Sequence, residues 1–153
     1  MDKDNEFMKR AIELAGVAGS MGEIPVGAVV VCEGKIVGEG YNTREGAKNA
    51  LAHAEIAAID SACKKLGGWR LHKCELYVTL EPCPMCAGAI INSRIKRVVY
   101  GACDTKAGAF GTVMNLNEFP LNHKTELEVG VCSDECSALL SDFFAELRKK
   151  KKS

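Results

Sequence analysis

Long apolar runs are missing from this chain. The longest, Val26 to Cys32, is far shorter than the about 20 residues that a membrane-spanning helix needs. The opening residues, Met1-Asp2-Lys3-Asp4-Asn5-Glu6, hold no basic segment followed by an apolar core, so no secretory signal is expected. Internal repeats, low-complexity blocks and linkers are also lacking, which argues for one compact unit. These absences predict a cytoplasmic protein with no membrane partner, whose eight cysteines stay thiols instead of pairing as disulfides. What remains is ordinary for a globular enzyme: 153 residues, 47% hydrophobic and 26% charged, enough for a sizeable core.

Net charge is absent too, with 20 basic and 20 acidic residues, but the balance conceals an asymmetry. Arg148-Lys149-Lys150-Lys151-Lys152 holds five of the basic residues, leaving 15 against 20 acidic ones in the body. Residues 1–147 are accordingly read as a single domain and residues 148–153 as a basic C-terminal tail. A basic tail on an acidic body suits a nucleic-acid partner, and a nucleoside-sized substrate would have no need of it.

Two short clusters carry chemistry. His53-Ala54-Glu55 is answered by Pro82-Cys83-Pro84-Met85-Cys86, with Cys83 standing 30 positions after His53. One imidazole and two thiolates make three protein ligands for a single Zn2+ per subunit. They leave the fourth tetrahedral position to water, which marks a catalytic site and not a structural one. Zinc lowers the pKa of such a water to about 7. Glu55 is then a carboxylate beside the metal, free to carry protons. Cys83 and Cys86 at a helix start fall on one face, and Pro84 fits the first turn because its missing N–H would be unpaired there. The positive end of the helix favours thiolates. His53 and Glu55 would point to opposite sides of a regular helix, so they are expected in its first turn, with the site off its end. A redox Cys-x-x-Cys pair would follow a thioredoxin-like strand and has no need of an upstream His-x-Glu.

Periodicity supplies the frame. Residues from about Asp4 to Gly19 read as an amphipathic helix with Phe7, Met8, Ala11, Ile12, Ala15 and Ala18 inward. Val26 to Cys32 is a buried strand, turned at Glu33-Gly34 into Lys35 to Gly40 as a hairpin. A polar loop from Asn42 to Asn49 precedes a helix that runs from His53 to about Leu66, buried through Ile56, Ile59 and Cys63. Glu75 to Leu80 and Arg97 to Tyr100 flank the cysteine helix, and a strand–helix–strand unit of this length predicts parallel pairing. A glycine-rich loop, Cys103 to Gly111, leads through an ill-defined stretch to His123. Leu127-Glu128-Val129 is a last strand, and Ser133 caps a helix buried through Cys136, Leu139, Leu140, Phe143 and Phe144. Both clusters thus fall at strand ends and helix starts, where open α/β sheets bind ligands.

More motifs extend the pattern over essentially the whole chain, from Glu23-Ile24-Pro25-Val26-Gly27-Ala28-Val29 onward. They are Leu80-Glu81-Pro82-Cys83-Pro84-Met85-Cys86-Ala87-Gly88-Ala89, Gly101-Ala102-Cys103-Asp104-Thr105-Lys106-Ala107-Gly108-Ala109 and Leu121-Asn122-His123, then Asp134-Glu135-Cys136 followed by Phe143-Phe144. In these residues the chain resembles the cytidine-deaminase-like superfamily and, within it, the bacterial tRNA-specific adenosine deaminases. The zinc motifs alone would fit cytidine, guanine or riboflavin-pathway deaminases; the later motifs are what those branches generally lack. One departure is Ala50-Leu51, where family members commonly carry Pro-Thr. It loosens the loop leading into the catalytic helix and touches none of the ligands.

The resemblance implies a three-layer α/β/α fold with a mixed five-stranded sheet, a homodimer and no organic cofactor. It implies hydrolytic deamination of adenosine to inosine at the wobble position of the tRNA anticodon stem-loop, with the target nucleotide flipped out of the stack. Glu55 would take a proton from water and deliver protons to the ring nitrogen and the departing amine. By similarity Asn42 would hydrogen-bond the flipped base and Asp104 would approach its ribose, where a 2′-OH marks RNA. Lys106, Asn122 and Phe144 would contact the anticodon loop. From the residues alone, Asn42 could equally cap a turn and Asp104 a loop.

Two rival readings use the same residues. A deaminase of free cytosine, cytidine or guanine would share the zinc site and Glu55 but enclose a small molecule. A structural zinc module would need a fourth protein ligand, and neither Cys74 nor Cys103 falls in a paired spacing. A second metal site from His123, Cys132 and Cys136 competes with the simpler reading of Cys136 as an inert buried thiol.

Overall fold

The computed structural model describes residues 2–152, Lys152 for its backbone alone; Met1 and Ser153, the outer ends of the expected domain and tail, lie outside the described residues. Helix α1 (Lys3–Ser20) starts on Asp2, whose carboxylate accepts the Asp4 N–H at 3.0 Å. Strands β1 (Gly27–Cys32) and β2 (Lys35–Tyr41) form the expected hairpin, closed by Glu33 and Gly34 at φ 51° and 82°. The polar loop that follows contains a short helix, α2 (Arg44–Ala47), not anticipated from its composition. Then come α3 (Ala54–Leu66), β3 (Cys74–Leu80), α4 (Pro84–Asn92), β4 (Arg97–Ala102), β5 (Glu126–Val129) and α5 (Ser133–Lys152).

The five strands make one sheet in the order β2-β1-β3-β4-β5. β1 runs antiparallel to both neighbours, whereas β3, β4 and β5 are parallel, so the sheet is mixed as expected. Alternation along β1 sends Ala28 and Val30 to one face and Val29 and Val31 to the other, and all four are buried. The first pair packs with Ala58 of α3 and Ile90 of α4; the second with Met8 and Ala11 of α1 and Cys136 of α5. Helices therefore cover both faces, giving three layers. Arg97 of β4 ties α1 to the sheet by gripping Asp4 at 2.7 Å and Glu75 at 2.8 Å.

Two expected helix faces need correction. On α3 the buried stripe is Ala54, Ala58 and Ala62 with Ile59, while Ile56 and Cys63 are only half-buried. The cause is the facing strand. A Cβ on Gly38 would overlap the Ala58 carbonyl, and one on Gly40 the Ala54 carbonyl, so the helix rides almost on the β2 backbone. Among the described side chains of α5 only Cys136 is fully buried; Leu139, Leu140 and Phe143 are half-buried and Phe144 is 38% exposed. A helix of 20 residues is about 30 Å long, and a six-residue strand such as β4 about 20 Å, so α5 outruns the sheet it packs on. The expected basic tail continues this helix without a break from Arg148.

The ill-defined stretch before β5 is held by specific bonds. Leu116–Glu118 forms a single 3-10 turn, and the Asn117 amide pairs with both backbone groups of Thr125 at 2.8 and 3.1 Å. His123 Nε2 lies 2.7 Å from the Ile95 carbonyl, and among the described residues His123, Cys132 and Cys136 do not form a group that could hold a metal.

Candidate active site

Two helix starts converge at one end of the sheet. His53 is the N-cap of α3 (φ −87°, ψ 154°), with Glu55 in the first turn behind it. Cys83 is the N-cap of α4 (φ −74°, ψ 173°), Pro84 occupies the first turn, and Cys86 follows on the same face. Extended backbone at each cap turns the side chain off the helix end, which resolves the mismatch between His53 and Glu55. His53 Nδ1 stands 3.6 Å from Cys83 Sγ and 3.5 Å from Cys86 Sγ, and the three donor atoms lie within 4.8 Å of one another. Zinc bonds of about 2.3 Å to sulfur and 2.0–2.1 Å to nitrogen, at a tetrahedral angle, put N and S about 3.6 Å apart, so the donors fit that ion. Among the described residues this is the one cluster of at least three such side chains that could hold a metal.

These side chains shift one another's proton affinity. A hydrogen bond from Cys86 holds the Cys83 thiol down to about 4, aided by His53. The same bond, with burial, pushes Cys86 up. Hydrogen bonding to Cys83 raises His53. Glu55 is buried, and that desolvation pushes its carboxyl up to about 7. A carboxyl near neutrality is suited to taking up and releasing protons.

The cluster opens into a cavity of about 120 Å³. Ile24, Val26 and Leu80 line it with apolar surface; Asn42, Arg44 and Asp104 add polar groups. Asn42 is buried, donates from Nδ2 to the Ile24 carbonyl at 3.1 Å and accepts the Arg44 N–H at 3.2 Å. Asp104 accepts the N–H groups of Lys106 and Ala107 at 2.9 and 3.1 Å through one oxygen. Each therefore caps local backbone and lines the cavity as well. Lys106 and Phe144 meet instead at a second, shallower groove of about 480 Å³, completed by Leu147, Arg148 and Lys151 of α5. Asn122 is exposed and lines neither.

Sequence reasoning missed two buried carboxylates that hold the loops beside the cavity. Glu23 accepts the N–H groups of Glu45 and Gly46 at 2.9 and 2.7 Å and so anchors α2 with its Arg44. Glu81 accepts from Asp104, Phe110 and Thr112. The available signal was position: Glu23 precedes an apolar run, and Glu81 sits between Leu80 and Pro82. At the Ala50-Leu51 departure the loop is closed by Asn49, whose side chain accepts the Leu51 N–H at 2.9 Å.

Fold and site together define a deaminase, and residues 1–148 match the family of MafB19-like deaminases. Within that class the chain belongs to the tRNA-specific adenosine deaminases. It is 53% identical to that enzyme of Bacillus subtilis (strain 168), over 99% of this chain and 95% of the relative. The Haemophilus influenzae enzyme of the same name is 48% identical, over 97% and 87%. A solved structure from studies of A-to-I editing by tRNA:A34 deaminases at the wobble position of transfer RNA superposes with a TM-score of 0.86. That match has 40% identity and covers 88% of this chain and 99% of the other. A guanine deaminase from Nitrosomonas europaea shares the fold at lower similarity, with a TM-score of 0.77 and 27% identity over 92% and 84%.

Proposed function

We propose that this protein deaminates adenosine to inosine at the wobble position of tRNA anticodons, as a cytoplasmic homodimer. The observation that carries the proposal is the His53/Cys83/Cys86 triangle with buried Glu55 beside it. The three ligands would hold one Zn2+, which when bound makes a water acidic enough to supply hydroxide near neutral pH. Glu55 accepts the proton released as water adds at C6 of adenine and passes it to the ring nitrogen; it then takes the second proton from the new C6 hydroxyl and hands it to the amine, so that the C6–N bond breaks as the C6 carbonyl forms. Water enters and ammonia leaves, so the atoms balance. Backbone N–H groups at the starts of α3 and α4 stabilise the charge that develops.

Recognition is assigned to the polar groups around the cavity. Asn42 offers its remaining amide hydrogen and lone pair to the flipped base. Asp104 offers its second carboxylate oxygen to the ribose 2′-OH. Lys106 and Phe144 face the anticodon loop across the groove on α5, and Arg148 and Lys151 of the basic run extend the single domain as phosphate contacts. Asn122 keeps its anticodon-loop role on the resemblance alone.

One assay tests the whole reading. Purified protein should carry one zinc per chain and convert adenosine to inosine in an anticodon stem-loop, while free adenosine, cytidine and guanine stay untouched. Turnover of a free base or nucleoside at a comparable rate would replace it with a small-molecule deaminase.

A further inference from the structure

Glu81 is 2% exposed and carries four hydrogen bonds, none from a cation. All four donors come from the loop after β4. Oε1 accepts the Asp104 N–H at 3.1 Å and the Thr112 hydroxyl. Oε2 accepts the N–H groups of Phe110 at 3.1 Å and Thr112 at 3.2 Å. The loop lies flush on the carboxylate, since a Cβ added at Gly108 would collide with it. In the chain, Glu81 stands two residues before the ligand Cys83. One side chain thus spans from the cysteine loop to the backbone of Asp104, whose own Oδ1 is turned back onto Lys106 and Ala107.

We infer that Glu81 is a positioning residue: it fixes how far Asp104 stands from the metal cluster, and through Asp104 it sets the discrimination of ribose from deoxyribose. The inference rests on the proposed contact between Asp104 and the 2′-OH. A carboxylate suits this task because it only accepts, and all four groups around it donate. Glutamine has nearly the same shape but must place an NH2 where one oxygen was. At the Oε2 position it would face two backbone N–H groups that cannot turn. At Oε1 it faces one N–H and a hydroxyl that can rotate to accept. The amide therefore takes the Oε1 position, and the bond that is lost is the one to Asp104.

The test compares rates on anticodon stem-loops that differ only by 2′-OH or 2′-H at the target adenosine. Glu81→Gln should keep its zinc and narrow that ratio by about tenfold, the loss expected for one mispaired buried contact. Asp104→Asn in the Glu81→Gln background should add little, because coupled residues are not additive. Thr112→Val removes a donor to Glu81 but leaves the Asp104 bond, so it should lower stability and keep the wild-type ratio. Should Glu81→Gln fail to fold, Glu81→Asp, which withdraws the same charge by one methylene, should narrow the ratio likewise. A wild-type ratio in the Glu81 variants, with Asp104→Asn altered, would overturn the role of Glu81 and leave that of Asp104 standing. Loss of zinc from Glu81→Gln, or an equal change in Thr112→Val, would overturn it too. An unchanged ratio in Asp104→Asn itself would remove the ribose contact and this inference with it.

Discussion

His53 Nδ1 lies 3.6 Å from the sulfur of Cys83, 30 residues further along, because each residue caps a helix and both caps open at the same end of the sheet. Glu55, in the first turn behind His53, falls outside the group of side chains that could hold a metal. Replacing Glu55 with Gln should therefore leave zinc stoichiometric by elemental analysis and abolish inosine formation. Cys83→Ala or Cys86→Ala should lose the metal, since two protein ligands hold zinc far less tightly than three. Zinc retained in full by a cysteine variant, or lost from Glu55→Gln, would reverse the assignment of roles.

Much of this was legible because short-range chemistry dictated it. β1 shows itself by a continuous apolar run, and α4 by Cys-Pro-Met-Cys at the end of β3. What escaped depends on distant partners. Ile56 and Cys63 look like the core face of α3, yet Ala54, Ala58 and Ala62 take that place because Gly38 and Gly40 of another strand let the backbones close up. Glu23 and Glu81 stand in the quoted motifs without a role of their own, since nothing local reveals the N–H groups each one meets. Asn42 and Asp104 stay double-natured: each caps local backbone and also lines the cavity.

The contact between β2 and α3 has a graded consequence. A methyl at Gly40 would strike Ala54, which sits between His53 and Glu55, and the N–H of Ala58 at 2.8 Å. A methyl at Gly38 would meet Ala58 and Ala62, a turn further from the site. Both alanine variants should cost about 1–3 kcal/mol by urea unfolding, the range for overpacking a tight contact. Only Gly40→Ala should also weaken zinc binding in a chelator competition. Equal zinc affinity in the two would show that the strain does not reach His53.

Acid stability should report on Asp4. The Arg97 guanidinium holds its carboxyl below the usual carboxylate range, and the Tyr77 hydroxyl donates to it at 2.7 Å. A folded-state pKa below the unfolded one means that the unfolded chain binds more protons. The stabilisation is then complete above the ordinary carboxylate pKa of about 4 and is lost as pH falls through the lowered value. Asp4→Asn should cost about 1–3 kcal/mol at pH 7, and wild type and variant should converge as the pH drops below that range. A difference that stays constant down to pH 2 would trace the loss to packing instead of charge.

The groove on α5 makes the most quantitative claim about RNA. Phe144, Leu147, Arg148 and Lys151 follow the spacing of a single helix face, and Lys106 meets them from the loop that also carries Asp104. One loop thus lines both the cavity, through Asp104, and the groove, through Lys106, a placement that suits a backbone track leaving a flipped nucleotide. Arg148→Ala and Lys151→Ala should each raise KM for the stem-loop, leave kcat at saturation unchanged, and reduce the slope of log affinity against log salt by about 1. Phe144→Ala should weaken binding by about 1–3 kcal/mol with no change of slope, because a stacked base releases no counterions. Lys149 serves as the control: its ammonium already lies 3.4 Å from Glu146, and its alanine variant should move the slope less than either groove residue. Equal slopes for all three cationic variants would mean that the helix attracts RNA by overall charge alone and that the groove holds no defined phosphate.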